Sequence, residues 1–291
     1  MTMDRQTGSR VALIPAQRQA MILEMLQTDG AASVQQFAEA IGASVATVRR
    51  DLETLESKGF VDRTFGGASL RTRALTRLEP GYALSKHIHH DEKVAIGNLA
   101  ATRIEPHQSV VFDSSSTVRE AARAVIEQGI PITAITNDIV VAQMLSGAAS
   151  VKVMILGGSV RPGSMTISGA PGEEFLAGVK ADVALLGAHA VTADGPSEVR
   201  IEKTRMKQLM AESARSVRVL ADHTKLGDAS IFRICRIDAV DELITDWKAD
   251  PALCDALRAR GLTVTVAAEM AEQASRSAFL GRRGLPALDV E

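Results

Sequence analysis

Apolar positions along this chain change their spacing near residue 92. Before about residue 70 they recur every three to four residues in three blocks, the spacing of helices that bury one face. "PAQRQAMILEMLQTDG" (15–30) opens on a proline, which the first helical position tolerates, and closes on a glycine. "SVQQFAEAIGAS" (33–44) predicts a second helix, with Ser33 as its cap and Phe37, Ala38 and Ile41 on one face. "SVATVRRDLETLESKG" (44–59) predicts a third, capped by Ser44 and closed by Gly59. Its Val48, Leu52 and Leu55 share the inner side, so Ala46, Thr47, Arg50 and Thr54 point away from it, with Arg49 on a flank. Only "GAS" separates the last two helices, a turn of helix-turn-helix length. "FVDRTFGGASL" then reads as two short strands around Gly66 and Gly67, a hairpin in the position of a wing.

Beyond residue 92 short apolar runs alternate with helical stretches. The runs are 109–113, 132–136, 151–156, 182–187, 217–222, 241–245 and 262–267, and most are continuously apolar, as parallel strands buried on both faces are. The expected fold class is α/β: an N-terminal winged helix-turn-helix domain, then a Rossmann-like, mostly parallel sheet covered on both faces. Residues 13–70 are the expected DNA-binding domain, polar 71–92 with Pro80 and Gly81 the linker, 93–268 the second domain and 269–291 a tail.

Composition narrows this picture. With 46% apolar residues the 291-residue chain can build two cores. It contains no run of eighteen or more apolar residues, and "MTMDRQTGSR" does not suit a signal peptide, so the expected location is the cytoplasm, with no membrane partner. Cys235 and Cys254 lack a metal-type spacing and fit a reducing compartment. The net charge of −2 does not mark a nucleic-acid binder, and residues 1–77 hold only ten basic and eight acidic side chains. DNA affinity would then come from a few placed contacts and from oligomerisation, as a dimer or tetramer. Ser44, Thr47, Arg49 and Arg50 lie near the start of the third helix, the part a recognition helix presents to the major groove. The bland reading of "RRD" is a solvated helix face.

Candidate chemistry in the second half gathers at strand ends. "DSSST" (113–117) leads from a strand into "VREAARAV", so Ser115, Ser116 and Thr117 surround a helix N-terminus behind Asp113. That place suits an anion, and it also suits a plain serine cap. No G-x-S-x-G elbow surrounds the serines, which speaks against a nucleophile. Asn137 and Asp138, Gly157 and Gly158, and Asp222 with Lys225 follow other strands, and parallel strands would bring these ends together into one small-molecule site. The cluster "HIHH" (87–90) reads as linker histidines, with no metal and no cofactor expected.

Arg18, "FAEAIGAS" with "TVRRDLETLESKG", and "RTFGGA" (63–68) resemble the DeoR family of bacterial transcription regulators. The resemblance implies that Arg63, Gly66 and Gly67 belong to the DNA-binding wing. It continues through Lys93, the Asp113 loop, "TN" (136–137), "LGG" (156–158), Gly169, "DVALLGA", Glu202, Lys207 and "ADHTKLG", and implies a domain like the sugar-phosphate isomerases. Lys207 joins the expected effector residues on that ground. One departure stands out: the family usually has D-x-G-T-T at the phosphate loop, and Ser115 occupies the glycine's place.

The resulting expectation is a repressor of a carbohydrate operon, released from double-stranded operator DNA by a phosphorylated sugar or sugar-like effector. The rival is an isomerase-like enzyme with an appended DNA-binding module, for which Asp182, Glu198 and Glu202 are the candidate bases although none forms a catalytic motif. A third reading makes the second domain an oligomerisation platform.

Overall fold

The computed structural model describes residues 13–71, 79–161 and 163–269, and the chain divides between Ile88 and His89 into two units. The expected tail at 269–291 lies outside the described residues after Glu269.

In the first unit three helices form as expected: α1 (Pro15–Asp29), α2 (Val34–Ile41) and α3 (Val45–Ser57). Gly30 and Gly42, at φ 75° and 69°, end the first two. The cap of α2 is reciprocal: Ser33 Oγ accepts from Gln36 N at 3.2 Å, and Gln36 Oε1 accepts from Ser33 N at 2.8 Å. Ser44 Oγ accepts from Thr47 N at 3.2 Å and caps α3. The wing is the antiparallel pair β2 (Val61–Thr64) and β3 (Gly67–Leu70). A third strand that the sequence did not announce, β1 (Ala31–Ser33), pairs with β3 and anchors the wing. Phe37, Val48, Leu52 and Leu55 fill the core with no exposed surface.

The polar stretch expected as linker is more ordered than its composition implies. Residues 79–88 include the short helix α4 (Tyr82–Ser85), and Leu84 and Ile88, four positions apart on one face, are buried in the first unit's core. Residues 72–78 lie outside the described part.

The second unit begins with α5 (His90–Ala101) and is organised by seven parallel strands. They are β4 (Ser109–Phe112), β5 (Ile132–Thr136), β6 (Val151–Ile155), β9 (Ala181–Gly187), β12 (Ala214–Leu220), β14 (Glu242–Asp246) and β15 (Thr263–Ala267), in the order β15-β14-β12-β9-β4-β5-β6. Successive strand residues serve opposite cores. Val110, Phe112 and Leu185 pack with α5, α6 (Ser116–Glu127) and α7 (Ile139–Ser146) on one face. Val111, Ala184 and Leu186 pack with α8 (Ala170–Ala177) and α9 (Ile201–Glu212) on the other, where α10 (Pro251–Arg258) packs beside Val219 and Leu243. This two-sided burial explains why the strands read as unbroken apolar runs. Two small antiparallel additions, β7 (Ser159–Val160) with β8 (Ile167–Ser168), and β10 (Ala190–Thr192), β11 (Gly195–Glu198) and β13 (Phe232–Arg233), are too short to have a readable period.

Candidate functional site

The outer side of α3 is as the periodicity drew it. Ser44, Arg49 and Arg50 are exposed, Thr47 is half-buried with its hydroxyl 2.9 Å from that of Ser44, and neither arginine has an ion pair among the described residues. The third member of "RRD" does the opposite. Asp51 is buried and accepts from Arg18 Nε at 2.7 Å, from its Nη2 at 3.2 Å and from Gln19 Nε2 at 3.3 Å. Arg18 and Asp51 therefore fix α3 to α1, and the two arginines before Asp51 are left to solvent.

In the wing, Arg63 lies 3.4 Å from Glu53, and the two glycines have separate structural causes. Gly66 turns the hairpin at φ 85°, a left-handed conformation that favours glycine. A Cβ on Gly67 would stand 2.2 Å from the Ala32 carbonyl oxygen, so β1 can pair only against a glycine there.

In the second unit the carboxyl ends of β4 and β9 meet at Asp113, which is fully buried. One of its oxygens accepts from Ser115 N at 2.8 Å and the other from Gly187 N at 2.9 Å. Lys207, from α9, donates to the Gly187 carbonyl at 2.8 Å and to Glu198 Oε2 at 2.8 Å, and lies 3.2 Å from Asp113. Burial opposes charge on both partners, but their mutual attraction outweighs it: Glu198 falls to about 2 and Lys207 is raised.

Beside this cluster, at the ends of β12 and β14, lies a second. Asp222 is buried; desolvation would raise its pKa, yet Lys225, Lys93 and His89 hold it well below the usual carboxylate range. It accepts from Thr224 N at 3.1 Å and from the Thr224 hydroxyl. His223 Nδ1 lies 3.0 Å from Asp246, whose bond and charge raise the imidazole against its burial. His89 meets His223 edge to face at 5.2 Å, and burial lowers its pKa. The sequence had placed His89 among linker histidines; it is buried at the start of α5 in a left-handed conformation, φ 49°.

Ser115, Ser116 and Thr117 surround the N-terminus of α6. Ser115 Oγ caps it by accepting from Val118 N at 3.1 Å, so part of its role is the plain cap. Its φ is −92°, extended backbone open to any residue, so the loop has no left-handed conformation here for a serine to strain. What Ser115 changes is space: its side chain lies directly over Gly187, where an added Cβ would be 2.2 Å from its Oγ.

At the end of β5, Asn137 Nδ2 donates to the Ile167 carbonyl at 3.0 Å, while its buried Oδ1 has no partner. Asp138 turns from the site. It caps α7, receives Arg119 at 2.7 Å, and has its pKa raised by burial despite that arginine. Gly157 and Gly158 are exposed, and the backbone dictates the second: its φ is 144°, and a Cβ would stand 2.4 Å from the Ser168 carbonyl oxygen. Of the candidate bases, Asp182 accepts from Ser109 at the amino ends of β4 and β9, away from the cluster, and Glu202 is exposed.

The structure brings together Asp113, Asn137, Asp222 and Lys225, expected from the sequence, and Lys207, expected from the resemblance; Glu198, named only as a candidate base, and His89, His223 and Asp246 lie beside them. The available signal was "DHTK" at a strand end with Asp246 closing the adjacent strand.

Residues 18–74 match the model of the DeoR-like helix-turn-helix domain, and residues 88–247 that of the DeoR C terminal sensor domain. The HTH-type transcriptional repressor GlcR of Bacillus subtilis is 31% identical over 250 residues, which span 86% of this chain and 95% of that one. The HTH-type transcriptional regulator GolR of Listeria innocua is 30% identical over 256 residues, spanning 88% of this chain and all of its own. Ribose 5 phosphate isomerase A from Neisseria gonorrhoeae superposes on 46% of this chain and 52% of its own at 15% identity and a TM-score of 0.35. With both halves matched in order and relatives aligned along nearly their whole length, the chain belongs to the DeoR family of helix-turn-helix transcription regulators.

Proposed function

We propose that this protein is a cytoplasmic, homo-oligomeric repressor of a carbohydrate catabolic operon, that it binds double-stranded operator DNA through α3 and the wing, and that a phosphorylated sugar or sugar-like metabolite releases it. In this reading the effector binds at the carboxyl ends of β4, β5, β12 and β14. Its phosphate meets the α6 N-terminus with Ser116 and Thr117, or the Lys225 loop, and its hydroxyls meet the buried acceptors between them.

The observation that carries the reading is Asn137. A buried acceptor without a partner costs about 1–3 kcal/mol, and the Asn137 Oδ1 beside the Asp113 loop has none. A polyhydroxylated ligand supplies the missing donor. The carboxylates argue for sensing rather than turnover: Glu198, held at about 2 by Lys207, is a weak proton acceptor near neutral pH, and Asp222 is depressed likewise. Release follows by linkage, since a ligand that prefers the conformer with weaker DNA affinity shifts the protein toward it, by no more than its differential affinity for the two states.

A panel of pentose, hexose and polyol phosphates, read by thermal shift, by turnover and by release of bound DNA, tests this. The expected result is a shift and release without turnover. Turnover would establish the enzyme reading, and no shift with any member would leave the second unit an oligomerisation platform. DNA binding should also weaken steeply as salt rises, through counterion release.

A further inference from the structure

Phe65 is a large apolar side chain left fully exposed in its own unit. Its exposure is 110% of the reference value, against 69% for Ile231 and 55% for Ile201, the next most exposed large apolar side chains among the described residues. The local fold puts it there. Val61 and Ala68 turn inward to the core, Thr64 pairs with Gly67, and the hairpin reverses through Phe65 and Gly66, so that the ring stands alone at the tip of the wing.

The charges of the wing and of α3 select its partner. Asp62 is held by Arg71 at 2.7 Å and Glu53 by Arg63 at 3.4 Å, so the nearby acids are answered by arginines. Arg49 and Arg50, exposed on α3, have no ion pair among the described residues. A protein partner would need acids to answer Arg49 and Arg50; a nucleic acid brings phosphates and, between them, the faces of stacked bases. Apolar wedges on minor-groove binders enter base steps and unstack them, bending the duplex. We infer that Phe65 is such a wedge: the wing enters the minor groove and the ring inserts at one base step, so that the protein selects its site partly by how easily that step unstacks. This rests on the DNA-binding reading above and adds a specificity-determining residue to it.

The test uses the full-length protein and duplexes it selects from a random-sequence pool, scanned with 2-aminopurine at each position. Wild type should raise the fluorescence at one step, and a mismatch placed there should tighten binding. Phe65→Ala should bind the selected duplex about tenfold more weakly, from loss of base stacking, with no fluorescence rise and no gain from the mismatch. Phe65→Trp should retain all three signals. Selection of a duplex by wild type with no rise at any step overturns the wedge and leaves the DNA-binding reading standing. Failure to select any duplex overturns both. If Phe65→Ala keeps its DNA signals but loses self-association in sedimentation, the ring packs on a second copy of the chain and the inference is wrong.

Discussion

The two units spend charge in opposite ways. Among the described residues of the first, the buried polar side chains are Gln19 and Asp51, both part of the contact with Arg18. Three of its candidate functional groups, Arg49, Arg50 and Phe65, stand in solvent, whereas Ser44, Gly66 and Gly67 also serve the fold. In the second unit the charged and amide candidates are mostly buried: Asp113, Asn137, Glu198, Lys207 and Asp222. A DNA-reading surface must be presented to its partner, so it can be laid over a finished core. A pocket that recognises a polar ligand has to be dry and fixed before the ligand arrives, so its residues are part of the core. Function and stability should therefore be separable in the first unit and inseparable in the second.

The largest effect that could break this contrast is at Lys207. Removing one member of a buried ion cluster leaves uncompensated charge, and Lys207→Ala strands Asp113 and Glu198; the expected loss is about 3–5 kcal/mol. Trp247, the chain's only tryptophan, lies in the second unit and reports the loss as a lower denaturant midpoint. A loss under about 1 kcal/mol would mean that the cluster is a binding device without structural weight.

Acid probes the same cluster more gently. A carboxylate depressed in the folded state contributes stability that is present above its ordinary value and is lost as pH falls through the folded one. For Glu198 that window runs from 4.5 down to about 2, and Asp222, also depressed, adds to it. The Trp247 midpoint should fall steadily between about pH 5 and 3, and Glu198→Gln should fall less over the same range. A flat wild-type profile would contradict the pairing with Lys207.

On the other side of the comparison, Arg50→Ala should cost about 1–3 kcal/mol of binding to a selected duplex if it reads a base bidentately, and leave unfolding within about 0.5 kcal/mol of wild type. An equal loss on random DNA would reassign Arg50 to the phosphates. A large loss of stability would erase the distinction between the units.

The same difference decides what the sequence could disclose. In the first unit, caps, breakers and the three-to-four-residue period fixed α1, α2 and α3 and told Arg50 from Leu52 by angle alone. The strand runs of the second unit were equally plain, because burial on both faces leaves a continuous apolar signature. The pairing of Lys207 with Asp113 and Glu198 was not plain, since it joins α9, β4 and β11, and spacing along the chain says nothing of which distant strand ends meet. His89 was misplaced for a related reason: a histidine beside polar neighbours looks solvated until the end of β12 supplies His223 against it. Strands as short as β1 and β13 have no period to detect.

The smallest expected effect is at Ser115, where the family resemblance implies a glycine. Because φ is −92°, glycine would relieve no backbone strain there. Ser115→Gly should instead lose the cap on Val118 N, and at an N-cap that exchange costs only a few tenths of a kcal/mol. The space over Gly187, now filled by the Ser115 side chain, would open. If the second unit's site residues are inseparable from its fold, this is the position where the rule is weakest, since the side chain lies over Gly187 at the candidate site but its loss scarcely moves the fold. Thermal shifts of Ser115→Gly and wild type against the same panel of sugar phosphates should then rank the ligands differently from nearly equal unliganded melting temperatures. An identical ranking would make Ser115 a cap and nothing more; a melting temperature lowered by many degrees would place it in the core with the rest.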